Sequence, residues 1–517
     1  MRMNGEKTDG FLLAEQLEKL AGGDIYPFHM PGHKRNAAGI TAAGNPYLVD
    51  ITEIEGFDNL HHPEGIIRES MAAAAKVYGA EDTRYLVNGS TCGILAAILA
   101  AAAPGERILM ARNSHKSAYH ALILGGCDPV FVTPEILPGP EYCGISGGIL
   151  PERIRELLER YPDIRAVFIT SPTYEGVVSD IRGIAEEAHR HGVPLIVDEA
   201  HGAHFPFGRD FPEDALSCGA DVVIQSLHKT LPALTQTAVL SRKGRLIRQE
   251  DIDRYLSMVE TSSPSYVLMA SAERAVKEMA ERGEEHLSRL YGQLSRFFAG
   301  MREIPGIRLL GREIAGTAGV YDLDPSKLVF LFPEGEKEGA GGAAFAAALR
   351  RKGIEPEMAT RDICLLMTSP WDTEDGFRKL AGAVREIAGE WAGKRELPLS
   401  GPPADRGKIP AEGREKLPER VFLPSRAFRA EAEMVPLANA CGRISAGFIT
   451  LYPPGVPCLI PGERFGEKEI QRVSRELAAG LTVEGVYREE SFPDARSNAG
   501  SGCPDGGPRV AVLTESK

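Results

Sequence analysis

The chain has 517 residues, 43% of them hydrophobic and 25% charged, the balance of a soluble globular protein with core enough for several domains. A formal net charge of −13 speaks against a broad basic face, so nucleic acid is not an expected partner. The eight cysteines contain no C-x-x-C pair, residues 1–10 lack the apolar core of a signal peptide, and the longest apolar run, 93–104, is too short for a bilayer; these features predict a cytoplasmic enzyme without a membrane partner.

Residues 8–20 show helical spacing behind a threonine that can cap the first turn. The run 26–35, rich in Gly, Pro and His, reads as an ordered loop. From about 50 to 279, short apolar runs alternate with amphipathic segments. Residues 84–87, 107–111, 129–133, 166–170, 194–198 and 221–225 read as buried strands, and 94–103, 154–161 and 181–191 as helices. This alternation predicts an α/β fold with a mostly parallel sheet. A helical stretch follows at 266–303, then a smaller α/β unit, a Pro- and Gly-rich linker, and a C-terminal region with a turn-rich apolar core around 451–463 and a loop at 491–508. The expected division is an arm at 1–49, a large cofactor-binding domain at 50–285, a small α/β domain at 286–396, a linker at 397–420 and a C-terminal α+β domain at 421–517.

The most informative stretch is Ser226-Leu227-His228-Lys229-Thr230, directly after an apolar run. A lysine at the mouth of a strand, beside a hydroxyl and an imidazole, suits covalent attachment of an aldehyde cofactor such as pyridoxal phosphate; in isolation it reads more readily as a surface lysine in a strand-to-loop turn. Such a cofactor needs three further parts. The loop 88–93 offers a phosphate cup through its glycines, Ser90, Thr91 and a helix N-terminus, although Ser and Thr also serve as plain helix caps. Asp198, at the end of a strand, can keep a pyridine nitrogen protonated. His115, on a loop after a strand, can lie against a ring. Asp198, His201 and His204 have a spacing compatible with metal ligation, but the intervening Gly202 argues against the rigid helix such a site wants, so no metal is expected.

The order phosphate loop, His115, Asp198, Lys229 is that of aminotransferase-type, fold type I pyridoxal phosphate enzymes. The chain resembles the bacterial ornithine/lysine/arginine decarboxylases through P-F-H-M-P-G-H-K-R (27–35), D-I-T-E-I-E-G-F-D-N-L-H-H-P-E-G (50–65), N-G-S-T (88–91), R-N-S-H-K-S (112–117), D-E-A-H-G-A-H (198–204), S-L-H-K-T-L-P-A-L-T-Q (226–236), T-S-S-P-S-Y (261–266) and Y-P-P-G-V-P-C-L-I-P-G-E (452–463). The resemblance implies decarboxylation of arginine, lysine or ornithine to the amine. It implies Lys229 as the cofactor-bearing residue, Asp198 at the pyridine nitrogen, His115 on the ring, and Ser90, Thr91 and Ser226 on the phosphate. His201 and His228 would lie near cofactor and substrate. Glu463 matches a carboxylate position that can meet the substrate's distal cation; it also reads as a solvated turn residue, and Glu53, Glu55 or a second subunit are alternatives. The first motif begins by residue 27, so the expected form is the short one, without the N-terminal wing domain of the long members; this puts their large assembly in doubt, and a homodimer or higher homo-oligomer is expected. Another fold type I reaction, or a non-catalytic protein keeping the fold, are the alternatives.

Overall fold

The computed structural model describes residues 23–35, 46–333, 341–393, 417–452, 455–478, 482–487 and 507–514. The helix expected at 8–20, nearly all of the linker and most of the loop at 491–508 lie outside the described residues. After a short first strand, β1 (Tyr26–Phe28), the chain forms β2 (Asp82–Leu86), β3 (Arg107–Ala111), β4 (Asp128–Val132), β5 (Ile164–Thr170), β6 (Val177–Val178), β7 (Leu195–Asp198), β8 (Val222–Gln225) and β9 (Ala238–Arg242). All but β1 and β6 join one sheet in the order β2-β9-β8-β7-β5-β3-β4. The β3–β4, β3–β5, β5–β7 and β7–β8 pairs are parallel, and β9 runs antiparallel to both its neighbours.

Helices cover both faces of this sheet, which is why its central strands read as unbroken apolar runs. On one face Gly89–Ala101, Lys116–Gly125 and Gln249–Val259 bury Ile94, Ile98, Leu122 and Ile252 against Ile108, Phe168 and Ile224. On the other, Pro151–Arg160 and Ile181–Arg190 bury Ile154, Leu158 and Ile184 against Leu109, Val167 and Val197. Gly93 allows the close approach of its helix: a Cβ there would stand 2.6 Å from Leu86 Cδ1.

The helix Tyr266–Arg302 is continuous and capped by Ser265, whose Oγ accepts from Leu268 N at 3.3 Å. It crosses the boundary expected at 285/286, because its buried face (Met269, Val276, Leu287, Leu294, Phe297) belongs to a core that also holds Phe330, Phe345, Leu366 and Trp391 of the smaller unit. That unit contributes β10 (Asp322–Leu323), β11 (Lys327–Leu331), β12 (Ile354–Pro356), β13 (Met358–Ala359) and β14 (Ile363–Met367), of which β11, β14 and β13 form an antiparallel sheet. Among the described residues, no helix is long and apolar enough to cross a membrane.

Two sequence motifs turn out to be architectural. The run 26–35 is not all loop: β1 pairs in parallel with β12. Its remainder clamps the segment around Lys229. Gly32 N donates to His228 O at 2.8 Å, Ser369 Oγ donates to Gly32 O at 2.5 Å, and the Lys34 ammonium donates to His29 O at 3.0 Å and Met367 O at 2.7 Å. In 50–65 the carboxylate of Asp58 accepts from the backbone N–H groups of Asn59, Glu64, Gly65 and Ile67 at 2.8–3.0 Å and so caps the helix Ile66–Tyr78. Desolvation pushes the Asp58 pKa up, but these N–H donors outweigh it and hold the group at about 2.

The C-terminal region has two antiparallel three-stranded sheets, Ala432–Pro436 with Arg509–Leu513 and Val486–Tyr487, and Val456–Leu459 with Ile449–Tyr452 and Thr482–Glu484. They enclose Leu437, Leu459, Phe465, Val473, Val510 and Val512.

Gly32 generates the first prediction. A Cβ at this position would lie 2.7 Å from the backbone carbon of Thr230, where nothing can give way without moving the Lys229 segment. Gly32→Ala should lower unfolding stability by about 1–3 kcal/mol, the usual cost of overpacking. Chemical denaturation measures this, and an unchanged midpoint would show that the contact is slack.

Candidate active site

The carboxyl ends of parallel strands are where open α/β sheets place ligands, and here β5, β7 and β8 deliver Thr170, Asp198 and, one residue on, Ser226 to one edge. Lys229 follows on the short helix Leu227–Thr230 rather than on an open turn. Its Nζ lies 3.1 Å from His201 Nε2. Part of Lys229 remains open to solvent, yet burial pulls its amine below the usual lysine range, with Asp198 and then Glu357 pulling it back up. Asp198 is buried, and burial raises its pKa while Lys229 lowers it. The two groups therefore feel each other directly.

His201 is buried between groups that fix its ring. Lys229 faces one nitrogen, Lys327 Nζ lies 3.3 Å from Nδ1, and the Tyr174 ring packs edge-on at 4.9 Å. Burial and then the Lys229 charge push its pKa well down, so the ring is neutral. His228 donates through Nδ1 to Thr237 O at 2.9 Å, since a carbonyl can only accept; this leaves Nε2 as a bare acceptor. His115 caps Lys116–Gly125, its Nδ1 accepting from Ser117 N at 3.3 Å, so its proton sits on Nε2. Burial drives both rings down to about 4.

At the head of Gly89–Ala101, Ser226 Oγ donates to Ser90 Oγ at 2.9 Å, joining two of the three expected phosphate-site hydroxyls. Ser226 is buried, Ser90 half-buried and Thr91 exposed. The first turn holds no acidic residue and Asn88 makes no side-chain cap, while the buried Glu260 carboxylate stands beside the helix head and accepts from Val87 N at 2.6 Å.

These residues fit pyridoxal phosphate. Among the described residues Asp198 receives one hydrogen bond, from Ala200 N at 3.1 Å, which leaves a buried carboxylate with capacity for a ring N–H. Buried Thr170 Oγ1, from a residue paired in register with Asp198, and buried Asn113 Oδ1 have no hydrogen-bond partner among the described residues. Polar atoms of this kind rarely stay unsatisfied. His201 and His204 do not converge on a metal position: His204 Nε2 turns to Asp324 Oδ1 at 3.3 Å, while His201 faces the two lysines.

Glu463 lies elsewhere. It is buried, and its Oε2 accepts from Arg112 Nη2 at 3.1 Å and Ile460 N at 2.9 Å. Arg112 also donates to Pro457 O, Cys458 O and Tyr119 OH, so this pair ties the C-terminal region to the loop that carries His115. Oε2 is thus engaged by an internal cation, and the burial of Glu463 rules out the solvated turn residue that the sequence also allowed. Glu53 and Glu55 are exposed. Sequence reasoning missed Lys327, Tyr174 and Glu357, the last accepting from Tyr174 OH at 2.6 Å and Met30 N at 2.8 Å. No local motif marks them, because they reach the site from different parts of the chain.

Residues 13–298 match the family model described as Orn/Lys/Arg decarboxylase, major domain, and 410–477 match its C-terminal domain. The chain is 34% identical over 479 residues to an arginine decarboxylase of Bacillus subtilis, covering 91% of this chain and 94% of that protein. It is 35% identical over 464 residues to an arginine decarboxylase of Halalkalibacterium halodurans, covering 89% and 91%. Among solved structures, the lysine decarboxylase LdcF of Francisella novicida superposes with a TM-score of 0.73 at 18% identity, covering 99% of this chain and 79% of that one.

The buried histidines give a pH prediction. The folded pKa of His228, about 4, lies below its ordinary 6.5, so between these values the unfolded chain binds the extra proton. The stability linked to His228 is whole above about 6.5 and drains as pH falls toward 4. Relative to the wild type, His228→Gln should lose less stability across this window, by on the order of 1–3 kcal/mol. Denaturant midpoints followed through the window read this out; parallel curves for the two proteins would contradict it.

Proposed function

The chain belongs to the Orn/Lys/Arg decarboxylase family, and from that premise we propose how its residues perform the reaction and which amino acid it uses. The reaction is the decarboxylation of a basic amino acid by a pyridoxal phosphate enzyme. Bound pyridoxal phosphate supplies the electron sink for the Cα electrons released as CO2 leaves. The observation that carries the residue assignment is the juxtaposition of Lys229, with a depressed amine, with His201 at 3.1 Å and the buried Asp198.

In this reading Lys229 holds the cofactor, and burial supports it by favouring the neutral, nucleophilic amine. Asp198 retains the proton on the pyridine nitrogen. The helix N-terminus at Gly89 with Ser90, Thr91 and Ser226 receives the phosphate. His115 lies against the ring, oriented by the bond from Ser117. After CO2 departs, Lys229 is the group that returns a proton to Cα; His228, neutral and with its proton on Nδ1, offers Nε2 there only as an acceptor. Fixed placement of these groups, rather than covalent chemistry of their own, is what they contribute to the rate.

Arginine is the proposed substrate, supported by the two relatives described above, each matched over about nine-tenths of its length. A homodimer is the proposed assembly. The segment 47–66, spanning the end of the arm, leaves Tyr47, Leu48, Ile54, Phe57 and Ile66 exposed, 86% and 78% for the first two, and apolar surface of this kind marks a contact face.

Two measurements test the reading. Lys229→Ala should bind no cofactor covalently and lose nearly all turnover, whereas Asp198→Ala should still take up cofactor but lose most of its rate; unchanged turnover in either variant removes that residue from its role. CO2 release from arginine, lysine and ornithine at equal concentrations should be fastest with arginine, and a clear preference for lysine or ornithine would refute the substrate assignment.

A further inference from the structure

A buried carboxylate stands behind the loop that leads from β2 into the helix Gly89–Ala101. Glu260 is 7% exposed and directly follows the helix Gln249–Val259, its own N–H donating to Leu256 O at 2.9 Å. Ile252 and Leu256 of that helix share an apolar core with Ile94 and Ile98 of Gly89–Ala101. On the far side, His61 Nε2 donates to Thr261 O at 2.8 Å. The backbone at Glu260 is thus held from both directions, and its side chain reaches the neighbouring helix head.

There Oε1 accepts from Val87 N at 2.6 Å and lies 3.9 Å from Cys92 Sγ. One oxygen therefore meets the residue that enters the loop and the first turn of the helix. Burial pushes the Glu260 pKa up, and hydrogen bonds from the Val87 and Asn88 backbone oppose that rise. The loop has a second anchor: Gly89, at φ of +73°, donates its N–H to Gln236 O at 2.8 Å. The N–H groups of 87–89 are in this way spent inside the protein. Those of Ser90 and Thr91 belong to the first turn, where no intrahelical carbonyl is in reach, and beside them Ser226 Oγ donates to Ser90 Oγ at 2.9 Å. A carboxylate next to an anion site opposes the anion through its charge. What Glu260 contributes must therefore come from the hydrogen bonds it accepts.

We infer that Glu260 is a positioning residue for the cofactor phosphate: by accepting from the loop backbone it sets the placement of Ser90 and Thr91. The inference rests on the reading of this helix head as the phosphate site. It gives a task to a buried carboxylate that the reaction itself does not use. A carboxylate that only stabilised the fold would matter equally to a ligand with a phosphate and to one without.

That difference is the test. The full-length protein is titrated, with absorbance as the readout, against pyridoxal phosphate and against pyridoxal, which has the same ring and aldehyde but no phosphate. The wild type should bind the phosphorylated form more tightly. Glu260→Ala should weaken pyridoxal phosphate about tenfold, the size of one charge-assisted hydrogen bond, and pyridoxal by less than about twofold. Glu260→Gln keeps an acceptor oxygen and should restore the wild-type affinity. Equal weakening of both ligands in Glu260→Ala, weakening of neither, or failure of Glu260→Gln to restore binding would overturn the inference. If the alanine variant does not fold, Glu260→Asp, which draws the acceptor back by one methylene, takes its place with the same expectation of a loss confined to pyridoxal phosphate. Equal binding of the two ligands by the wild type is a different result: it would remove the phosphate reading itself, and the inference with it.

Discussion

The burial of the Lys229 amine is the constraint around which this site is organised. Taking a cation out of water costs several kcal/mol unless the protein pairs it or lets it lose its proton. Here both responses are visible: Asp198 and Glu357 partly support the charge, and desolvation outweighs them. Each flanking element then has a physical task. β7 and β8 place Asp198 and Ser226 at one sheet edge, the clamp around Gly32 fixes the short helix that bears the lysine, and His201 meets the amine at 3.1 Å.

The smaller unit is part of this site rather than an appendage. It sends Lys327 to His201 and Glu357 to Tyr174 and Met30. It also shares a continuous core with the long helix Tyr266–Arg302, so the position of these polar groups is set by well-packed apolar contacts. The C-terminal region acts through a different device. Arg112 and Glu463 form a buried pair with further hydrogen bonds from Arg112 to Pro457 O, Cys458 O and Tyr119 OH and from Ile460 N to Glu463, the kind of added support under which such a pair is tolerated. It ends three residues from His115, so the C-terminal region braces the loop that enters the site.

What was legible in the sequence follows from locality. The parallel strands announced themselves because strands buried on both faces carry apolar runs, as β7 and β8 do up to their last residues, Asp198 and Gln225. Asp198 stood out at the end of such a run, Lys229 and His115 a few residues beyond one, and the Ser90 loop after β2, an antiparallel strand at the sheet's edge. Glu463 was legible as a motif but not in its partner, since no local pattern joins position 463 to Arg112. Lys327 looked like the ordinary start of a strand, and only the tertiary fold reveals that it faces His201. The run at 26–35 was read as loop because its prolines forbid a central strand; a three-residue edge pairing with β12 escapes that rule.

Three buried or half-buried lysines, Lys34, Lys229 and Lys327, are electrostatically coupled in this region, and the account turns on which of them carries the cofactor. Borohydride reduction of the protein loaded with pyridoxal phosphate, followed by peptide mass spectrometry, fixes the cofactor to the residue that bears it. The account predicts the modification on Lys229 alone. Modification of Lys34 or Lys327 in its place would contradict it.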